Sequence, residues 1–142
     1  MSKVLDQIKF IKQPIINVEG GNVLRIMKKS NFEEFSFQEA YFSSIDFNFI
    51  KGWKMQLKMS SNICVPIGNV KFTFVSQDFK KHKTFLIGED NYGIMTIPPK
   101  VWYSFKGISE KTSLILNIAN SEHIVNDIKK INLDEFPLKI NL

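Results

Sequence analysis

Apolar and polar residues alternate with a period of two along much of this chain, the spacing that puts successive side chains on opposite faces of a strand. In Glu39–Phe49, Tyr41, Ser43 and Ile45 oppose Phe42, Ser44 and Asp46. In Trp53–Met59, Trp53, Met55, Leu57 and Met59 share one face, while Lys54, Gln56 and Lys58 share the other. In Val70–Ser76, Val70, Phe72 and Phe74 oppose Lys71, Thr73 and Val75. Further strands are expected at Val23–Met27, Ile63–Ile67, Thr84–Ile87, Ile94–Ile97, Val101–Phe105 and Leu114–Ile118, with a Gly68-Asn69 hairpin signal between two of them. Pro98-Pro99 closes one strand and aims the next, because proline fixes φ and has no N–H to give a ladder. Lys28–Phe35 and Ser76–Lys83 read as polar loops. Residues 124, 125, 128 and 131 are apolar in Ile124–Ile131, a spacing that fits one or two helical turns, and Asp134–Leu142 is a tail able to pack back. About ten short strands with frequent turns and almost no helix predict a β-sandwich or closed barrel.

Composition narrows the classes of function. The 142 residues suit one domain, 1–142, with 1–14 as an arm or short edge strand; no repeat, low-complexity tract or linker divides them. Hydrophobic residues make up 44%, and thirteen phenylalanines favour strands over helices. A net charge of +5 permits an anionic partner, yet the lysines are scattered, with Lys28-Lys29, Lys80-Lys81 and Lys129-Lys130 only pairs. A solvated surface explains them better than nucleic-acid binding. The single cysteine, Cys64, lies in an apolar run and reads as a small core residue; no intramolecular disulfide can form, which fits a reducing cytoplasm. No stretch approaches the ~20 apolar residues of a membrane span, and Met1–Phe10 has no signal-peptide core.

Two stretches carry a family likeness. Residues 88–123 read GEDNYGIMTIPPKVWYSFKGISEKTSLILNIANSEH, and residues 51–70 read KGWKMQLKMSSNICVPIGNV. With EAYFSS at Glu39–Ser44, they resemble the cupin-fold sugar epimerases related to dTDP-4-dehydrorhamnose 3,5-epimerase. Lys100 stands where that family has glycine. The resemblance covers roughly residues 15–136. It implies an all-β cupin jelly-roll barrel with a short C-terminal helical segment, and a homodimer in which residues 1–14 can join a neighbour's sheet. It also implies a nucleotide sugar as ligand, with a 4-keto-deoxysugar as substrate in surface-polysaccharide synthesis. No cofactor is implied.

The chain departs from that family at the residues of its chemistry. Lys54 and Gln56 occupy the places of its paired histidines, and Leu116 falls near its catalytic tyrosine. Only His82 and His123 remain, too few and too far apart for the metal-binding cupin pattern, so no metal is expected. Removing a proton next to a ketone needs a base that titrates near neutrality, an acid opposite it, and a donor for the enolate oxygen. A lysine serves as that base when burial or a neighbouring cation lowers its pKa, and Lys58 is the candidate cation. The candidate catalytic residues are therefore Lys54 and Tyr103. The candidate substrate-binding residues are Arg25, Lys54, Gln56, Lys58 and His123. The pattern alone turns Trp53 and Met55 to the core and the lysines to water; the family frame instead turns Lys54 into the barrel. His123 serves a pocket rim or a structural hydrogen bond, and Tyr41 and Tyr92 read as packing residues. The remaining alternative is a non-catalytic cupin that binds a nucleotide sugar or a partner enzyme.

Overall fold

The computed structural model describes residues 2–142. In chain order its strands are β1 (Lys9–Lys12), β2 (Ile15–Ile16), β3 (Val23–Leu24), β4 (Glu39–Ile45), β5 (Ile50–Gln56), β6 (Ser61–Ile67), β7 (Asn69–Val75), β8 (His82–Gly88), β9 (Gly93–Ile97), β10 (Trp102–Gly107), β11 (Ser113–Ala119) and β12 (Ile128–Lys130). Two five-stranded antiparallel sheets face each other. Their orders are β1-β9-β6-β11-β4 and β12-β5-β10-β7-β8, and β2 pairs with β3 in a small ribbon. Strands neighbouring in a sheet are mostly distant in sequence, as in a jelly roll. None of the described helices is long and apolar enough to cross a membrane.

The alternation read from the sequence sets the layers. Phe72, Phe74, Ile63, Val65, Met95 and Ile115 point between the sheets and form the main core. The opposite pleat of the second sheet carries Trp53, Met55, Val75 and Trp102, and these form a second buried cluster with Phe136 from the C-terminal tail. Trp53 stacks on Phe136 with ring centroids 3.9 Å apart and planes 8° from parallel, while Trp102 meets the same ring edge-on at 5.9 Å. Leu138, Ile140 and Leu142 pack around the cluster. Lys71 and Lys106, cross-strand partners on that face, donate from Nζ to the carbonyl oxygens of Asn141 and Leu142 at 3.2 and 3.3 Å. The tail thereby gives two adjacent like charges something to bind.

The segment expected to be helical takes another form. A single 3-10 turn, Val125–Asp127, leads into β12, which pairs with β5. Beyond it the Trp53 and Ile131 backbones exchange N–H···O bonds of 3.0 and 3.1 Å. The open edge of β5 offered a ladder to a segment rich in β-branched residues, and tertiary pairing prevailed over the local spacing. The strand expected at Val23–Met27 shortens to Val23–Leu24. At the N-terminus, Leu5 and Ile8 enter the main core and β1 pairs with β9 of the same chain. Cys64 is buried, as its apolar surroundings predict. Lys100 adopts φ +66°, and its N–H donates to the Gln56 carbonyl at 2.7 Å.

Two stability tests follow from this packing. Trp102→Ala should cost about 3–5 kcal/mol in denaturant unfolding, as truncation of a buried aromatic does; an unchanged midpoint would mean that the tail cluster contributes little. Lys100→Gly should raise stability by up to about 1 kcal/mol, because glycine relieves the left-handed backbone while giving back part of the gain as chain entropy.

Candidate functional site

A cavity of about 150 Å³ lies between the sheets. From β5 it receives Lys51, Lys54 and Gln56, and from β10 Tyr103 and Phe105. From the facing sheet it receives Tyr41 and Ser43 of β4 with Ile115 and Asn117 of β11. Met59, Ser61, Ile97, Pro98 and Val101 complete much of the wall. The pleat explains the selection: with Trp53 and Met55 turned to the outer cluster, Lys54 and Gln56 must turn inward. Tyr103 is the cross-strand partner of Lys54, so the two side chains share the inner face.

Polar side chains in the cavity are held in place. Asn117 donates from Nδ2 to Ser43 Oγ at 3.1 Å and to the Tyr41 carbonyl at 3.4 Å. Lys51 donates from Nζ to the Ser44 carbonyl at 2.7 Å, tying β5 to β4. Among the described residues no carboxylate lines the cavity.

The surroundings shift three titrations. Burial lowers the Lys54 pKa below the ordinary lysine value, and the charges of Lys130 and Lys51 lower it further. Lys130 is the β12 residue paired with Lys54. Burial pushes the Tyr103 phenol up to about 12; the nearby Tyr41 adds to this, and a side-chain hydrogen bond with Gln56 opposes it. Tyr41 is raised as well, by burial and then by the negative charge of Glu39.

Of the candidate residues, Lys54, Gln56 and Tyr103 meet in this cavity; Lys58, Arg25 and His123 lie elsewhere. β5 ends at Gln56, so the inward alternation stops before Lys58, whose side chain is 78% exposed with Nζ 3.9 Å from Asp127 Oδ1. The cations beside Lys54 are Lys130 and Lys51 instead. Arg25 follows β3 and borders a separate surface depression with Lys12, Pro14 and Lys28. Its N–H donates to the Pro14 carbonyl at 3.0 Å and its carbonyl accepts from Tyr92 Oη at 2.8 Å. His123 follows the end of β11; it is exposed, and its N–H donates to Glu39 Oε2 at 3.1 Å. Leu116 is not part of the cavity wall; its neighbours Ile115 and Asn117 are.

Sequence reasoning missed Tyr41, which lines the cavity while remaining 42% exposed. The signal was available, since Tyr41, Ser43 and Ile45 share a face and Ile45 is core. Lys51 and Asn117 gave no comparable signal, because each depends on which sheet faces which.

The two facing antiparallel sheets, with a cavity between them lined by two lysines, a glutamine and two tyrosines, give the chain a cupin jelly-roll architecture. No family model matches the sequence, and no curated protein matches it. Solved structures do. A dTDP sugar isomerase from Desulfovibrio desulfuricans G20 is 24% identical with TM-score 0.85, over 93% of this chain and 89% of that one. The dTDP-6-deoxy-D-glucose-3,5-epimerase of Legionella pneumophila Philadelphia 1, solved with dTDP-4-keto-L-rhamnose, is 19% identical with TM-score 0.79, over 94% and 80%. A sugar 3,4-ketoisomerase from Thermoanaerobacterium thermosaccharolyticum, solved with TDP, is 20% identical with TM-score 0.73, over 89% of each chain. The chain has the jelly-roll cupin fold of these dTDP-sugar epimerases and isomerases.

Lys54 gives stability a pH dependence of definite sign. Its lowered folded pKa means that the unfolded chain binds more protons in the window below 10.5, so stability rises with pH there. Lys54→Gln removes this contribution. The variant should be more stable than the parent at pH 7 in urea titrations, and its advantage should shrink as pH approaches 10.5. A variant of equal or lower stability at pH 7 would contradict the burial of the amine.

Proposed function

We propose that this protein binds a nucleotide sugar with its sugar ring in the inter-sheet cavity and exchanges the proton beside a 4-keto group, as a sugar-nucleotide epimerase or isomerase. The observation that carries this reading is the opposition of Lys54 on one sheet and Tyr41 on the other, across a single cavity. Inverting a carbon requires a group that removes its proton from one face and another that returns a proton to the opposite face. In this reading the Lys54 amine accepts the proton, and burial with the neighbouring cations moves its pKa in the direction that role needs. Tyr41 returns one from the facing sheet. Tyr103, whose high pKa keeps its phenol protonated, donates a hydrogen bond to the enolate oxygen as charge develops there. Gln56, which lines the same cavity, orients it. The free lysine charges suit the diphosphate outside the sugar pocket.

In this reading the protein works as a homodimer on a cytoplasmic nucleotide sugar that feeds surface-polysaccharide synthesis. The likeness in fold to enzymes solved with dTDP-4-keto-L-rhamnose and with TDP supports the ligand class.

Two measurements test it. Thymidine diphosphate at a hundredfold excess over its dissociation constant should stabilise the protein by ~2.7 kcal/mol through mass action. With dTDP-4-keto-6-deoxyglucose in deuterium oxide, label should enter the carbon beside the ketone. Lys54→Met should lower that rate by about 10²–10⁴, the usual worth of a positioned base. Binding without exchange in the parent protein would leave a non-catalytic nucleotide-sugar cupin; absence of both would remove the reading.

A further inference from the structure

The placement of Lys54 supports a chemistry beyond proton transfer. Lys54 lines a cavity between the two sheets, beside aromatic and aliphatic side chains and the neutral polar groups of Ser43, Gln56, Ser61 and Asn117; among the described residues no carboxylate lines it to bind an ammonium. Three elements bring titratable or charged groups against it besides its own strand. β12 presents Lys130, directly paired with it; β10 presents Tyr103, also directly paired; and β4 presents Tyr41 from across the cavity. Its own strand adds Lys51, held by the Ser44 carbonyl. Two cations, both themselves exposed, and two phenols thus lie near it, while among the described residues no carboxylate lines the cavity. Directly opposite residues in an antiparallel pair have Cβ atoms about 5 Å apart, so Lys130 cannot be far from Lys54. A lysine next to another cationic group, or desolvated in an apolar pocket, is the type of amine that condenses with carbonyl compounds.

We infer that Lys54 is a carbonyl-reactive amine that forms a Schiff base with a ketone bound in the cavity, and that Lys130 is the positioning residue whose charge makes it reactive. The inference takes its natural carbonyl, a keto sugar, from the function proposed above, but it does not require Lys54 to be the proton acceptor. The step balances without a redox partner. The Lys54 nitrogen lone pair attacks the carbonyl carbon and a C–N bond forms. The carbonyl oxygen takes up one proton from the amine and one from solvent at the cavity mouth, and leaves as water. The product is an iminium ion, which acidifies the neighbouring C–H so that its proton passes to water at the cavity mouth. Reprotonation and hydrolysis return the free amine and the ketone. The lowered pKa of Lys54 fits this role, since only the unprotonated amine attacks.

The test uses pentane-2,4-dione, a diketone that converts a reactive lysine into an ultraviolet-absorbing enaminone. At pH 7.5 the intact protein should acquire one fast adduct, mapped to Lys54 by peptide mass and missing in Lys54→Arg. Lys130→Gln should slow that reaction about tenfold for each pKa unit the amine regains, with the rate recovered at higher pH; Lys130→Arg should react like the parent. Labelling spread evenly over surface lysines would overturn the inference, and so would a pH profile unmoved by Lys130→Gln. Borohydride added with dTDP-4-keto-6-deoxyglucose should fix the sugar nucleotide on Lys54. Thymidine diphosphate binding without a borohydride adduct would overturn the covalent role and leave the nucleotide-sugar reading standing. Selective diketone labelling without nucleotide binding would support the reactive amine and overturn that reading instead.

Discussion

One constraint organises this molecule: the pleat of β5 sends consecutive side chains to opposite faces, so an amine in the cavity puts its neighbours, here Trp53 and Met55, on the far side. Lys54 faces inward only because Trp53 and Met55 face outward, and large apolar groups on an outer sheet face need cover. The C-terminal tail supplies that cover through Phe136, Leu138, Ile140 and Leu142. The same excursion of the chain lays β12 along the edge of β5 and sets Lys130 opposite Lys54. One segment therefore seals the hydrophobic face and also sets the electrostatic field at the site. Packing and chemistry are coupled here through a single strand.

Lys54 and Gln56 stand where the sequence resemblance places paired histidines, which changes where any tuning would reside. A histidine titrates near neutrality on its own; a lysine is protonated there unless its surroundings oppose the charge. Replacing one with the other moves the requirement from the residue to its neighbours. Burial, Lys130 and Lys51 all act in that direction on Lys54, lowering its pKa from the ordinary lysine value. Tyr103 is displaced in the opposite sense, toward permanent protonation. The two cross-strand partners thus diverge, one toward a free amine and one toward a retained phenol, a divergence that suits one to accept and the other to donate.

Much of this was legible in the sequence. The faces of β5 and β7 followed from alternation alone, including the less obvious assignment of Val75 to the face opposite Phe72 and Phe74. Lys54, Gln56 and Tyr103 were placed through the family frame, which fixes the direction of the pleat where pattern alone favours the reverse. The departures arise where local pattern meets long-range pairing or the end of a strand. Ile124–Ile131 has helical spacing, but the free edge of β5 was not visible in it. Lys58 continues the alternation of Lys54 and Gln56, but the strand ends first. His123 closes a matched motif and Arg25 is expected on an adjoining strand, yet they lie beyond the ends of β11 and β3. Tyr41, which reads as a packing residue, shares its alternation with Ile45, and that alone turns it inward.

The cluster beneath the tail has an optical consequence. The chain contains two tryptophans, and both Trp53 and Trp102 lie in that cluster, against Phe136 and away from the core between the sheets. The protein's indole emission therefore comes from one place, the seam where the last nine residues meet the outer face of the sheet. Loosening of the tail would admit water to both rings and redden that emission while the inter-sheet core stayed folded. An ordinary fluorescence spectrum of the unlabelled protein thus reads the docking of its C-terminus, and through β12 the setting of Lys130 beside the cavity.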